Sequence, residues 1–291
     1  MRALASEFPN PDYITNSPNP AQAELVEAQA PTPASNMTRP PRILTIAGSD
    51  SSGGAGIHAD IKTITMLGGY AMSAITAVTA QNTLGVSGMV ILPAAQVAAQ
   101  IDACVNDIGV DAVKIGILCS PEIATVVADR LEKMEVPIVF DPVLLATSGA
   151  ALTTDKTIAC FERISRLATL STPNAHEYSV LRKLNGMFSP DVCHLITGGD
   201  DESDEIVDLL LVPGEAARFM SAPRIVTRHT HGTGCTLSSA IATYLGQGLP
   251  LAEAVDRARQ FVRAALLAAP GFGQGHGPLG HQAVGRQLSR S

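Results

Sequence analysis

Residues 228–240, RHTHGTGCTLSSA, set a histidine and a cysteine around Gly-Thr-Gly and run on into apolar residues with helical spacing. Glycines let a backbone approach a ligand closely. The start of a helix adds N–H groups with no intrahelical acceptor, at the positive end of the dipole. Gly232, Thr233, Gly234 and Cys235 therefore form a candidate hole for a phosphate or for negative charge that develops during a reaction. Cys235 has four readings: nucleophile, metal ligand, base, or small buried residue. A thiol in such a first turn is expected to be unusually acidic, since the same field stabilises its thiolate. His229, His231 and Cys235 are the one closely spaced set that would suit zinc, yet the intervening Gly-Thr-Gly favours a backbone-lined turn over a ligand cage.

Five further stretches carry polar and glycine residues: GSDSSGGAGIHAD (48–60), AQNT (80–83), KIG (114–116), DPV (141–143) and TPNAHE (172–177). The first fits neither a GxGxxG fingerprint nor a GxxxxGK[ST] phosphate loop. Any one of them is explained by ordinary turn chemistry. Their meaning depends on whether the fold brings them together.

The elements that must position them alternate. RILTIAG reads as a buried strand and AGIHADIKTITMLGG as an amphipathic helix closed by Gly68 and Gly69. AMSAITAVTA then reads as strand, PAAQVAAQIDACVND as helix, DAVKIGIL as strand and SPEIATVVADRLEKM as helix, with Ser120 as N-cap and Pro121 in its first turn. VPIVFDPV, LATLSTPN and VCHLIT continue as strands. DEIVDLLLV and AARFMSA read as an antiparallel pair, and RIV (224–226) as a further short strand. Two helices follow, in GTGCTLSSAIATYLGQG and PLAEAVDRARQFVRAALLAA, before a glycine-rich loop, PGFGQGHGPLGH. Near-continuous apolar strands alternating with helices predict an α/β fold with a mostly parallel sheet covered on both faces. In such a sheet ligands bind beyond the carboxyl ends of the strands, which is where the five polar stretches fall.

Bulk properties agree with a globular chain. Its 291 residues are 46% hydrophobic and 16% charged, enough to bury a large core. A formal charge of −7 argues against general nucleic-acid binding, and no apolar run is long enough to span a bilayer. Five scattered cysteines without a CxxC pair suggest free thiols in a reducing, cytoplasmic compartment. Residues 1–40 hold seven of the 19 prolines and little periodicity, so they are expected to be a disordered extension before a domain spanning 41–291.

Taken in order, TIAGSDSSGGAGIHADIKT, TAVTAQNT, KIGIL, DPV, TPNAHE and THGTGCTLSSAIA resemble hydroxymethylpyrimidine/phosphomethylpyrimidine kinase, a thiamine-pathway family of the ribokinase-like superfamily. The likeness covers about residues 42–281. It implies a three-layer αβα sandwich with a mostly parallel central sheet. It also implies ATP as co-substrate with Mg2+, and phosphorylation of 4-amino-5-hydroxymethyl-2-methylpyrimidine and then of its monophosphate. A homodimer is expected from the superfamily, with no nucleic-acid or membrane partner.

Residue by residue, the resemblance assigns Gln81 to the aminopyrimidine, Asp60 to the hydroxymethyl pocket, and Gly48 and Gly54 to the substrate-side loop. Gly232, Thr233, Gly234 and Cys235 match the anion hole, with Cys235 as the base. Asn174, Thr197 and Gly199 fall on the nucleotide side, and Glu177 and Asp141 in the magnesium network. A base is needed for an alcohol and much less for a monophosphate that is already ionised, so Cys235 is expected to matter more in the first step. His231 is assigned only to shaping the turn.

Two departures bear on the nucleotide. Thr147 and Thr197 stand where many relatives have lysine, and the segment from TPNAHE to ITGG is short for the family. The rival readings are a pyridoxal kinase-like vitamin kinase and a non-catalytic pyrimidine-binding regulator.

Overall fold

Apolar side chains crowd both faces of the first strand, β1 (Arg42–Asp50), where Ile43, Leu44 and Ile46 have no exposed surface. Successive strand residues point to opposite faces, so the two faces of β1 seed two separate cores. A computed structural model describes residues 39–144, 153–183, 191–199 and 203–288. Contacts divide the chain into Met1–Arg39 and Pro40–Ser291, and the architecture below is that of the second unit. The disorder expected for the leader, up to residue 38, lies outside the described residues.

After β1 come helix α1 (Gly56–Met66) and the antiparallel strands β2 (Tyr70–Asn82) and β3 (Gly85–Ile91). Helix α2 (Ala94–Ala103), β4 (Ala112–Ile115), α3 (Pro121–Leu131) and β5 (Ile138–Phe140) follow. Then come α4 (Asp155–Ile158), α5 (Phe161–Leu167), β6 (Leu170–Ser171), α6 (Ala175–Leu181) and β7 (His194–Ile196). The chain closes with β8 (Glu205–Leu211), β9 (Arg218–Pro223), α7 (Thr233–Gly246), α8 (Leu251–Leu267) and α9 (His281–Leu288). Among the described residues the nine strands lie in the order β3-β2-β1-β4-β5-β6-β7-β8-β9. The run from β2 to β7 is parallel, and β3, β8 and β9 pair antiparallel at the two ends. This is the expected mostly parallel sheet.

Ile43 and Val139 pack with Ile64 of α1, Leu237 and Ile241 of α7 and Phe261 of α8 on one face. Leu44, Ile46 and Phe140 pack with Val97 of α2, Val127 of α3 and Phe161 of α5 on the other. Two helical layers thus sandwich the sheet, the ribokinase-like three-layer arrangement. Because both faces of the middle strands are covered, β4 and β5 are buried at every position.

Several boundaries follow from local chemistry. The hydroxyl of Ser120 accepts the amide of Ile123 and caps α3, with Pro121 inside the first turn as expected. The helix at PAAQVAAQIDACVND changes character: α2 ends at Ala103, widens to a π turn over Cys104–Ile108 and stops at Gly109. RIV is not a strand. β9 ends at Pro223, which has no amide to extend a ladder, and Val226 is 96% exposed. β3 and the α4–α5 pair have no counterpart among the elements expected from sequence.

Candidate active site

The first glycine loop is organised by a carboxylate at its start. Asp50, the last residue of β1, accepts the amides of Ser52, Gly54 and Ala55 at 2.9, 3.1 and 2.8 Å, and the hydroxyl of Ser52. His231 adds a fifth contact, Nε2 to Oδ2 at 2.8 Å, from the far side of the chain. Burial pulls the Asp50 pKa up, but hydrogen bonds from His231 and Ser52 outweigh it and hold it at about 2.

The two glycine loops touch, which explains two of their glycines. A β-carbon on Gly232 would stand 1.9 Å from the carbonyl oxygen of Gly54, and Gly232 has φ +89. One on Gly54 would stand 2.4 Å from the His231 ring. Neither site has room for a side chain.

Gly232 is the N-cap of α7, and Thr233, Gly234 and Cys235 form its first turn, where amides lack helical acceptors. Behind that turn lies a buried ion pair. Lys114 Nζ sits 3.0 Å from each oxygen of Asp60, and neither side chain is exposed. Asp60 also accepts the hydroxyls of Thr45 at 2.5 Å and Ser239 at 2.6 Å. A carboxylate has about four acceptor positions, so these bonds saturate it.

A cavity of about 690 Å³ runs along this edge of the sheet. Gly48, Gln81, Asp141, Asn174, Glu177, Thr197, Gly199, Gly232, Thr233, Gly234 and Cys235 all border it, although the chain draws them from six separate segments. Gly54 and Asp60 are not among its lining residues. Gly54 supports the His231 ring and Asp60 holds Lys114, which does border the cavity. Thr147 lies outside the described residues.

Electrostatics correct one expectation. Burial pushes the Cys235 thiol up to about 12, against the opposing effect of Lys114 and with Asp60 and Asp141 adding to the rise. The residue keeps partial exposure to the cavity, yet protein packed around the sulfur desolvates a thiolate more than the helix field stabilises it. Cys235 therefore rests as a neutral thiol, not the acidic one expected from its helix position. Burial also raises Asp141, to about 6, with Lys114 opposing the shift.

On the other side, Asn174 and Glu177 form a reciprocal capping box on α6. Glu177 accepts the amides of Asn174 at 3.0 Å and Leu144 at 3.2 Å. Among the described residues no three His, Cys, Asp or Glu side chains gather into a metal cage. His231 is engaged by Asp50, so the zinc reading loses its middle ligand. Three cavity residues carry positive charges that no motif signalled: Arg224, Arg259 and Arg263. Arg259 is anchored to Asp208 at 2.7 Å, and Arg224 reaches the carbonyl of Gly199 at 3.1 Å.

A three-layer sheet whose strand ends converge on glycine-rich turns, a helix N-terminus and carboxylates defines a ribokinase-like small-molecule kinase. The family model described as phosphomethylpyrimidine kinase matches residues 50–280. A hydroxymethylpyrimidine/phosphomethylpyrimidine kinase of Streptomyces coelicolor is 41% identical over 87% of this chain and 97% of its own length. The chain belongs to this phosphotransferase family. A thiamine biosynthesis bifunctional protein, ThiED, of Geobacter sulfurreducens is 43% identical over 92% of this chain, which spans 57% of that longer protein. Among solved structures, a Staphylococcus aureus pyridoxal kinase in complex with pyridoxal superposes with a TM-score of 0.78 at 28% identity, covering 86% of this chain and 96% of that one.

Proposed function

We propose that the cavity phosphorylates hydroxymethylpyrimidine and then its monophosphate, with ATP as donor. The observation that carries this reading is the meeting of Gln81 and Gly48 with the Gly232–Cys235 turn in one cavity. Gln81 gives a pyrimidine ring a donor and an acceptor, and the bare backbone at Gly48 admits a flat ring. The amides of the first turn of α7 receive the charge of the transferring phosphoryl group in both steps.

In the alcohol step the substrate oxygen forms a bond to the γ-phosphorus as the bond to the β,γ-bridging oxygen breaks, and the alcohol proton passes to Cys235. A resting thiol must lose its own proton first, so the population able to act grows with pH. The alcohol step is therefore expected to accelerate as pH rises from 7 toward 9, more steeply than the monophosphate step.

The residues suit magnesium held through water and phosphate oxygens. Asp141 and Glu177 border the cavity without forming a cage, and the hydroxyl of Thr172 beside them is buried without a hydrogen-bond partner. When bound, the ion supplies charge neutralisation across the phosphates. Asn174, Thr197 and Gly199 form the nucleotide side, where Arg263 borders the same cavity and offers a positive charge in place of the lysine missing at Thr197.

The exposed apolar residues Val78, Met89, Val90 and Ile91 on β2 and β3 support association of two copies, which light scattering would measure. All five cysteines are free, which supports a cytoplasmic setting. No described helix is long and apolar enough to cross a membrane. Nothing in the site calls for a nucleic acid.

The structural likeness to pyridoxal kinase favours a second reading, phosphorylation of pyridoxal. A coupled ATP-consumption assay with hydroxymethylpyrimidine, its monophosphate and pyridoxal separates them. Turnover of both pyrimidines supports the proposal. Turnover of pyridoxal alone rejects it, and binding without turnover favours a regulatory protein.

A further inference from the structure

The wall beside Gln81 holds polar groups whose hydrogens can be counted. Asp50 is ionised, so its oxygens only accept. His231 Nε2, 2.8 Å from Asp50 Oδ2, must then carry a hydrogen and donate it. Gln81 Nε2 stands 3.5 Å from that same nitrogen, so in this orientation two donors face each other. At the other end Gln81 Oε1 is 3.1 Å from Thr79 Oγ1. The Thr79 hydroxyl has one hydrogen and also lies 3.0 Å from the carbonyl oxygen of Ser49, which can only accept. Gln81 Oε1 and the Ser49 carbonyl thus compete for it.

The two ends of a glutamine amide have nearly the same shape, and neighbouring hydrogens decide which end faces which. Turned over, Gln81 Oε1 accepts from His231 Nε2–H, shared with Asp50. Its Nε2 donates to Thr79 Oγ1, whose hydrogen stays on Ser49. Every group is then satisfied. The backbone of Gln81 is fixed as well, because Ser51 Oγ accepts its amide at 2.8 Å and donates to its carbonyl at 2.7 Å.

We propose that His231 is a positioning residue for substrate specificity: with Thr79 at the opposite end, its Nε2–H locks the Gln81 amide so that the wall offers one fixed order of acceptor and donor. This inference rests on the proposed contact between Gln81 and the substrate ring. Counted from the hydroxymethyl carbon, the aminopyrimidine presents an amino donor and then a ring-nitrogen acceptor. Pyridoxal presents a carbonyl acceptor at the first of these places and a phenolic oxygen at the second. A locked amide discriminates between those patterns, whereas a freely turning one accommodates both. The histidine before the anion hole thereby acts on ring choice through Gln81.

Calorimetric dissociation constants for hydroxymethylpyrimidine and pyridoxal, taken on the full chain without ATP, test this with no need for turnover. His231→Phe keeps a ring but loses the donor, and it should reduce the preference for the pyrimidine by about tenfold, the worth of one misdirected hydrogen bond. His231→Gln places an amide N–H near the lost Nε2–H and should restore most of that preference. In a Gln81→Glu background the symmetric carboxylate has no orientation to lock, so His231→Phe should no longer change the ratio. Equal weakening of both ligands, absence of rescue by glutamine, or the same ratio change in the Glu background would overturn the proposal. If His231→Phe does not fold, Thr79→Val releases the other end of the amide and carries the same expectation and the same refutation. Gln81→Ala leaving both constants unchanged would reject the contact of Gln81 with the ring. Weaker pyrimidine binding in Gln81→Ala, with an unchanged ratio in His231→Phe, would reject the locking alone.

Discussion

The two sides of the cavity are built differently. The pyrimidine side, on β1, β2, β4, α1 and the turn that opens α7, is built on two buried pairs, Asp50 with His231 and Asp60 with Lys114, each residue at most 4% exposed. The nucleotide side, on β6 to β9 and α8, begins on the short strands β6 and β7, and two of its cations, Arg224 and Arg263, reach backbone carbonyls. One side is preorganised by networks that cannot be broken singly, while the other relies on separable charges. Ring recognition should accordingly be coupled to folding, and nucleotide affinity should respond to single surface changes.

The largest expected effect is on stability. Asp60→Asn or Lys114→Met leaves an uncompensated buried charge and should cost about 3–5 kcal/mol in urea unfolding. The double variant should recover much of that loss. A small loss in either single variant would show that the pyrimidine side is less tightly bound to the fold than its geometry implies.

An intermediate effect tests the separability of the other side. Arg263→Ala should raise the KM for ATP by roughly threefold to tenfold and leave the KM for the pyrimidine unchanged. A shift in both constants would mean that the two sides are not independent.

The smallest effect concerns acid. The Asp50 pKa lies below its ordinary 3.8, at about 2, so its contribution is complete above pH 4 and is lost as pH falls through 2. Asp50→Asn should flatten the acid limb of a stability–pH curve by about 1 kcal/mol at pH 3 and about 2 kcal/mol at pH 2. An unchanged limb would assign acid sensitivity to other groups.

What sequence revealed follows the same division. The buried parallel strands and the loop glycines were legible because continuous apolar runs and turn chemistry are local signals. Ser120 with Pro121 marked a helix start for the same reason. β3 escaped notice because GVSGMVI mixes glycine and serine into an exposed edge strand. Asp60 was legible as important but not in its placement: its partner Lys114 lies 54 residues away, and only tertiary packing shows that its oxygens are saturated. Arg224, Arg259 and Arg263 belong to no motif, since β9 and α8 deliver them to the cavity from different directions. The acidity expected of Cys235 failed because helix position is local, whereas desolvation depends on everything packed around the sulfur.

The central claim is that one turn serves two phosphorylations, with its backbone acting in both and its cysteine chiefly in the first. Single-turnover rates of Gly232→Ala and Cys235→Ala, each with hydroxymethylpyrimidine and with its monophosphate, test it most directly. Distorting the turn at Gly232 should slow both steps by on the order of 10²–10³-fold. Cys235→Ala should slow the alcohol step by on the order of 10²–10⁴-fold and the monophosphate step far less. Comparable losses for both substrates in Cys235→Ala would contradict the account.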